Sequence, residues 1–201
     1  DSYSDAEHIS IDISGIQKFI YTIASKNALR TLRARSFYLE IMMEHIIDTL
    51  LERLELSRAN LIYSGGGHCY LLLANTQKTR EVLNTFQKEL QSWFLKYFRT
   101  ELFVAFGYSV CSGNTFRNVP EGSYANMFRQ ASAGISKAKL HRYTAEEIIA
   151  LNQYRADDYT RECKVCKRIG QVDEKGVCPL CRKIEALSGN VLYDTFFSIV
   201  L

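Results

Sequence analysis

The spacing of apolar and polar residues divides most of the chain into strands and helices. Alternating or short apolar runs are typical of strands, and they occur at 9–13, 61–64, 68–74 and 102–110. Apolar residues at helical spacing predict amphipathic helices, and this pattern occurs at 16–24, 28–54, 76–97 and 126–140. The order strand, helix, strand, strand, helix, strand predicts an α+β fold of the ferredoxin-like βαββαβ type, with an antiparallel sheet and helices on one face.

The residue pattern changes near Leu151, after which charged residues and cysteines replace the long stretches with periodic apolar positions. We therefore predict one domain over 1–151, a small cysteine-rich segment over 152–188 and the start of a further element over 189–201. Of the 201 residues, 47% are hydrophobic, so the chain can bury a substantial core. It begins without Met and ends in an apolar run, so we expect both ends to be cuts in a longer protein.

Composition and charge narrow the class of protein. The net charge of +3 neither requires nor excludes nucleic acid. No apolar run approaches the roughly 20 residues of a membrane span, and the acidic, polar start does not resemble a signal peptide. We therefore expect a cytoplasmic protein without a membrane partner, in a compartment that disfavours disulfides.

The cysteine-rich segment contains two Cys-x-x-Cys pairs separated by eleven residues. Each pair can present two thiolates to one tetrahedral ion, and the four residues are Cys163, Cys166, Cys178 and Cys181. The alternative is a set of redox thiols or disulfides, which the presence of two such pairs disfavours. We predict a structural Zn²⁺ site, because four thiolates close the coordination shell and leave no position for a reactive water.

The tip of the predicted hairpin consists of three glycines, Gly65, Gly66 and Gly67, between two apolar strands. Glycines cost backbone entropy and contribute no packing, so they indicate a tight turn or a ligand that lies against bare main chain. A tight hairpin without a ligand is therefore the alternative. Polymerases and cyclases of the palm type hold metal ions with carboxylates at such a hairpin, and this tip has none.

The end of the first strand, over 12–17, is a second candidate for nucleotide binding. Ser14 and Gly15 stand where a helix begins, and a helix N-terminus offers free N–H groups to phosphate. In a split βαβ sheet this strand lies beside the glycine hairpin, so we expect 12–17 and 64–68 to meet. As alternatives, Asp12 is an ordinary helix cap and His68 a strand residue that pairs with a neighbour.

A basic cluster lies before and within the first turns of the long second helix, and it consists of Lys26, Arg30, Arg33 and Arg35. Such a cluster could meet RNA, a neighbouring subunit or a triphosphate. The alternative is a solvated helix start. Cations near a helix N-terminus gain nothing from the helix dipole, which favours a partner that the sequence does not name.

Three sequence motifs, followed by the cysteine pairs, resemble one protein family. The motifs are Asp12-Ile-Ser-Gly-Ile-Gln-Lys-Phe-Ile20, Leu32-Arg-Ala-Arg-Ser-Phe-Tyr-Leu39 and Tyr63-Ser-Gly-Gly-Gly-His68. In this order they resemble the large, polymerase-like subunit of type III-A CRISPR effector complexes, over essentially the whole chain. The resemblance implies a first palm domain and a zinc segment, with an HD nuclease domain upstream and a second, catalytic palm downstream.

The resemblance also implies a function. The family joins ATP into cyclic oligoadenylates when the complex holds a target RNA, and two ATP molecules sit between two palms. By resemblance, nucleotide contacts Ser64 and the three glycines, together with Asp12, Ser14 and Gly15. Lys139 matches a phosphate-binding lysine of diguanylate cyclases, with a solvated helix face as the alternative. The implied partners are the second palm, other effector subunits, guide RNA and target RNA.

We expect the metal chemistry of this family to come from outside these residues. Phosphoryl transfer requires Mg²⁺ or Mn²⁺ held by carboxylates, and Asp12 alone is a poor site for two ions. The resemblance assigns the metal-binding carboxylates to the second palm. We therefore expect this chain to bind one ATP weakly and to catalyse no synthesis by itself. A non-enzymatic scaffold for effector subunits and RNA is the alternative.

Overall fold

The structure is a computed structural model and describes residues 6–22, 28–153 and 161–193. The chain divides into two compact units, one from 1–16 with 40–149 and the other from 17–39 with 150–201. The unit that contains the cysteines therefore also takes in the segment 17–39, which the sequence pattern did not separate from the first domain. The sequence-based limits at 151 and 188 remain predictions.

The predicted strands and long helices are present, with limits that differ by a few residues. The strands are β1 (Ala6–Ser14), β2 (Leu61–Gly65), β3 (His68–Ala74) and β4 (Phe103–Cys111). The helices are α1 (Ile16–Tyr21), α2 (Ala28–Arg53), α3 (Gln77–Phe98), α4 (Gly113–Phe116), α5 (Ser123–Leu140), α6 (Ala145–Gln153) and α7 (Pro179–Tyr193). The periodicity did not predict α4, α6 or α7, and the predicted limit after residue 188 falls inside α7.

The four strands form one antiparallel sheet in the order β2-β3-β1-β4. β1 is a central strand, in which Asp12 lies opposite His68 of β3 and opposite Ala105 of β4. Residues 7–11 of β1 are buried without interruption, so both faces of this strand are covered. The predicted α+β class and the antiparallel sheet are thus confirmed.

One face of the sheet packs against α3, which lies beside α2. The Phe86 ring of α3 and the Phe106 ring of β4 have their centroids 6.4 Å apart, in an edge-to-face arrangement. Arg53 of α2 forms an ion pair with Glu89 of α3 at 2.7 Å. Every second residue of β1 faces this side of the sheet, and the buried apolar residues among them are Ile9, Ile11 and Ile13.

The opposite face of the sheet packs against α5, so the prediction of helices on one face is wrong for this helix. His8 of β1 contacts the Phe128 ring of α5, with 4.8 Å between centroids. Gly107 of β4 and Gly134 of α5 allow the two backbones to approach, because a Cβ on Gly107 would clash with the carbonyl oxygen of Ala131. The two glycines are distant in sequence, and helical periodicity therefore gave no sign of this crossing.

Candidate nucleotide site and metal centre

A two-residue turn, Gly66-Gly67, joins β2 to β3. Both residues have positive φ angles, +61° and +79°. Positive φ at both central positions is the requirement of the type I′ turn, whose twist matches that of the flanking strands. The hairpin lies against the end of β1, since the Ile13 N–H donates to the Gly67 carbonyl at 2.8 Å. The predicted meeting of 12–17 with 64–68 is therefore present in the structure.

The glycines of this region differ in what a side chain would meet. Gly15 has a φ of +92°, and a Cβ there would clash with the carbonyl oxygen of Glu101. A Cβ on Gly67 would clash with the end of the Ile16 side chain. Gly66, by contrast, is exposed, and a Cβ on it would meet no atom within 4 Å. Packing thus explains Gly15 and Gly67, whereas Gly66 leaves bare main chain facing open space.

A cavity of about 280 Å³ lies between α2 and the hairpin. The side of α2 contributes Glu40, Met43 and Glu44, and the hairpin contributes residues 64–67. Ser64 donates its hydroxyl to Glu44 at 2.9 Å, and Arg58 forms an ion pair with the same carboxylate at 2.6 Å. The volume is near the lower limit of small-molecule sites. Carboxylate, hydroxyl and main-chain groups in one cavity suit a ligand with hydroxyl or amino donors.

The Asp12 carboxylate lies at the opposite side of the hairpin, on the sheet face that α5 covers, and three groups contact it. His68 Nδ1 is 3.2 Å from Oδ1, the Ser14 hydroxyl donates to Oδ2 at 3.2 Å, and Lys139 Nζ is 2.8 Å from Oδ2. Burial by itself would raise the pKa of Asp12, but hydrogen bonds and charge from His68 and Lys139 lower it to about 2. Asp12 is therefore an ionised carboxylate whose oxygens already have partners, which makes it a poor ligand for catalytic metal ions.

Lys139 is the lysine of α5 that reaches this carboxylate. Lys137, two positions earlier on the helix, is exposed, whereas the Lys139 side chain is about one-third exposed. The sequence comparison with diguanylate cyclases selected Lys139, and the structure places its ammonium group beside Asp12. A ligand that approaches Asp12 from solvent would therefore also meet the ammonium group of Lys139.

The Asp12–Lys139 pair predicts a specific acid sensitivity. A carboxyl pKa lowered from 3.8 to about 2 adds stability above pH 4, and this contribution is lost as the pH falls toward 2. It amounts to at most about 2.5 kcal/mol, since one pKa unit corresponds to about 1.4 kcal/mol. We expect Lys139→Met to lower the unfolding free energy at pH 7 by about 1 kcal/mol and to flatten its dependence between pH 4 and 2.

Denaturant unfolding at a series of pH values measures this effect, and the exposed Lys137 offers the matched control. Lys137→Met should follow the wild-type pH profile. Equal slopes for Lys139→Met and wild type between pH 4 and 2 would show that the ion pair does not hold the carboxyl pKa low.

His68 connects Asp12 to Ser10 in an order that resembles a Ser-His-Asp relay. Because an ionised carboxylate only accepts hydrogen bonds, Nδ1 donates to Asp12, and Nε2 lies 3.1 Å from the Ser10 hydroxyl. Ser10, however, is 1% exposed, so no substrate could reach it. The arrangement fixes the His68 ring and orients Asp12, and it does not provide a nucleophile.

The helix that follows Gly15 is short. α1 has six residues, Ile16–Tyr21, and so short a helix has few aligned peptide dipoles. Its N-terminus therefore adds little to the predicted phosphate-binding role of Ser14 and Gly15, which remains a prediction. Gly15 is explained by its close approach to Glu101 instead.

The four predicted metal ligands come together in the second unit. Their Sγ atoms all lie within 4.8 Å of one another, and none of the four cysteines forms a disulfide. The Cys166 and Cys178 sulfurs are 3.7 Å apart. A tetrahedral zinc ion with Zn–S bonds of about 2.3 Å would separate its ligands by about 3.8 Å. The donor set and its spacing therefore fit a tetrahedral thiolate-bound ion.

Main-chain groups hold the cysteines in this arrangement. The Cys178 N–H donates to Cys163 Sγ at 3.3 Å, and the Cys181 N–H donates to Cys178 Sγ at 3.5 Å. A hydrogen bond with the Cys178 sulfur raises the pKa of the Cys166 thiol. Four crowded sulfurs thus do not all ionise without a cation. A bound divalent ion would supply the charge that keeps them as thiolates.

The basic cluster before and within α2 is not a single surface. Arg30 and Arg33 are exposed, but Arg35 is 2% exposed. Lys26 lies outside the described residues. Arg35 is therefore not part of a solvated helix start. Within the described parts of the chain, no helix combines the length and apolar character that crossing a membrane requires.

Comparison with known proteins places this chain in a family. A family model described as Csm1 subunit domain B matches residues 7–154. The chain is 44% identical over 192 residues to the CRISPR system single-strand-specific deoxyribonuclease Cas10/Csm1 (subtype III-A) of Enterococcus italicus, covering 95% of this chain and 25% of that protein. It is 42% identical over 197 residues to the protein of the same description from Mycobacterium tuberculosis, covering 90% and 24%.

Solved structures agree with the sequence comparisons. The apo Csm1-Csm4 cassette superposes with a TM-score of 0.66 at 31% identity, over 76% of this chain and 20% of that one. A Csm1-Csm4 cassette in complex with one ATP also has a TM-score of 0.66 at 31% identity, over 77% and 21%. The chain belongs to the Cas10/Csm1 family of type III-A CRISPR systems, as the sequence motifs indicated. It spans about a quarter of the length of the curated relatives.

Proposed function

We propose that this chain forms the first palm of a type III-A Cas10/Csm1 subunit and contributes one ATP-binding half of a cyclic oligoadenylate synthase site. The observation that carries the proposal is the exposed main chain at Gly66, beside the cavity between α2 and the hairpin. Related Csm1-Csm4 cassettes have been solved in complex with one ATP, with AMPPNP, with cA3 and with cA4. These relatives support a nucleotide as the occupant.

In this proposal the chain binds and orients nucleotide and does not hold catalytic metal. The hairpin tip has no carboxylate, and the Asp12 oxygens already have partners. The phosphates would lie against the bare main chain at Gly66, and Ser64 and Glu44 line the same cavity. Mg²⁺ or Mn²⁺ would be held by the carboxylates of a second palm, and it would neutralise and align the triphosphate.

The proposal extends to the fold, the metal centre and the partners. The strand order β2-β3-β1-β4 supports a ferredoxin-like βαββαβ palm. The cysteine cluster would hold structural Zn²⁺, which would supply folding free energy to the second unit. The proposed limits are 1–151 for the palm and 152–188 for the zinc segment. The proposed partners are the second palm, other effector subunits, guide RNA and target RNA, in the cytoplasm.

A non-enzymatic scaffold remains the second candidate. The saturated Asp12 favours it, because this carboxylate serves the packing of β1, β3 and α5 without any ligand. Structural neighbours are Csm1-Csm4 assemblies, which supports a role in holding subunits. Under this alternative the hairpin is a tight turn and nothing more.

Nuclear magnetic resonance titration separates the two candidates, because it detects weak binding. We expect Mg²⁺-ATP at millimolar concentration to shift the amide signals of residues 64–67 in the isotope-labelled chain. Magnesium tripolyphosphate is the control for a purely electrostatic response. No shift at the hairpin would favour the scaffold. With labelled ATP and Mg²⁺ or Mn²⁺ the chain alone should form no oligoadenylate, and any product would contradict the proposed division of labour.

A further inference from the structure

Arg35, in α2, is a buried cation in the unit that contains the cysteines. Only 2% of the residue is exposed. Its Nη1 donates to two main-chain carbonyls, that of Phe19 within α1 and that of Thr22 just after it, the latter at 2.8 Å. The guanidinium carbon also lies 5.0 Å from the centre of the Phe19 ring. Arg35 is therefore held in a fixed orientation by α1.

Within the described part of the chain, these contacts leave the charge of Arg35 without an anionic partner. Carbonyl groups and an aromatic ring carry no net charge, and among the described residues no carboxylate forms an ion pair with Arg35. Its Nε is buried and has no hydrogen-bond partner within that part of the chain. Because a buried charge is costly unless it is paired, the surroundings must supply an anion.

The cysteine cluster lies where that anion is needed. Arg35 Nη2 is 3.7 Å from Cys181 Sγ, and both groups are buried. As neutral thiols the four cysteines would offer no counter-charge. Four thiolates around a divalent ion carry a net charge of −2, by addition of four charges of −1 to one of +2. The metal-bound cluster would therefore supply the negative charge that Arg35 requires.

We propose that Arg35 is the outer-shell residue of the metal centre, which compensates the charge of the metal–thiolate complex and holds the Cys181 sulfur by a hydrogen bond. The inference rests on the proposed metal site, and it adds a residue from α2, 146 positions before Cys181. Outer-shell partners orient and tune metal ligands, and their loss typically lowers metal affinity about 10- to 100-fold. A disulfide or a neutral thiol pair would gain nothing from the same cation, so Arg35 favours the metal-bound form over the oxidised form.

The proposal links metal binding to the order of another segment. Arg35 contacts α1 through Phe19 and Thr22 and the cluster through Cys181. Metal binding should therefore strengthen the contacts of 17–22 and 28–39, which belong to the same compact unit. Hydrogen exchange of these amides in the wild-type chain should slow on addition of Zn²⁺.

Metal titration of the purified chain tests the role of Arg35. Zn²⁺ affinity is measured by competition with a chelator, and Co²⁺ serves as the spectroscopic probe. We expect Arg35→Gln to weaken binding about 10- to 100-fold and Arg35→Lys to lose less, because it keeps the charge. Arg33→Gln, on an exposed position of the same helix, should stay within about twofold of wild type.

The sulfur-to-cobalt charge-transfer band gives a readout that a purely structural role would not move. Loss of a positive donor leaves the Cys181 sulfur richer in electrons, so the band of Arg35→Gln should move to longer wavelength. If Arg35→Gln has the charge-transfer band and the metal affinity of the wild-type chain, the inference is overturned while the metal site stands. If Arg35→Gln does not fold, unchanged hydrogen exchange of 17–22 and 28–39 on addition of Zn²⁺ to the wild-type chain decides against the inference. A wild-type chain that binds neither ion would reject the metal centre itself.

Discussion

Cys163→Ser is expected to abolish stable zinc binding by this chain and to unfold the segment that carries the cysteines. The Cys163 sulfur is fully buried and accepts the N–H of Cys178, so its loss removes both a ligand and a main-chain contact. Binding free energies of structural zinc sites are about 10–16 kcal/mol, and much of this energy is folding free energy. We expect a low-temperature melting transition to separate from that of the sheet domain.

Elemental analysis and thermal melting in the presence and absence of a chelator measure this result. Cys111→Ser is the matched control, because Cys111 is a buried free cysteine of β4 outside the cluster. The control should retain the wild-type metal content even if it loses some stability. Wild-type zinc content and melting in Cys163→Ser would remove this residue from the site.

Gly66→Asn is expected to lower ATP binding at least about tenfold without destabilising the fold. Asn is favoured at the first central position of a type I′ turn, because it tolerates the positive φ that this turn requires. A Cβ on Gly66 would meet no protein atom within 4 Å, and the residue is exposed, so we expect the fold to accommodate a polar side chain there. It would, however, occupy the space through which a phosphate approaches the main chain. Stability and ligand binding should therefore separate in this variant.

Calorimetry with ATP measures the binding, and an assay of oligoadenylate output measures the activity. Both use a protein as long as the family members, in which these 201 residues are included. Gly66→Asp is the isosteric companion, and its carboxylate should weaken binding of a triphosphate further. Gly67→Ala provides the contrast, because its Cβ would clash with Ile16 and its φ is +79°, so it should lower the melting temperature. Wild-type ATP affinity in Gly66→Asn would separate the hairpin from the nucleotide site.

Sequence reasoning succeeded where neighbouring residues carry the information. The Cys-x-x-Cys spacing predicted a four-sulfur cluster, because two residues in one knuckle face one point whatever the rest of the fold does. The alternation of β1 and the three glycines predicted a hairpin beside the first strand, and the Ile13–Gly67 hydrogen bond is present. Comparison of motifs selected Lys139 as a phosphate-binding lysine, and this role remains a prediction, since the contact that the structure shows for its ammonium group is with Asp12.

Sequence reasoning failed where the outcome depends on residues far apart in the chain. Arg35 was grouped with three neighbours as a basic cluster, but it is buried, because α1 and α7 supply its contacts. The position of α5 on the second sheet face depends on Gly107 and Gly134, and each looks unremarkable in its own segment. The sequence alternates apolar and polar residues along β1, so it gave no sign that residues 7–11 are buried without interruption.

The sequence by itself determined the order of the four strands and of the helices between them, the carboxylate-free hairpin and the paired cysteines, since each depends on spacing within a few residues. The tertiary structure alone decided which glycines are fixed by packing, which carboxylate already has partners and which buried arginine has no ion pair among the described residues. These properties arise from distances between atoms that are remote along the chain. Gly66 shows the difference, because the sequence presents three equivalent glycines and the fold leaves one of them facing open space.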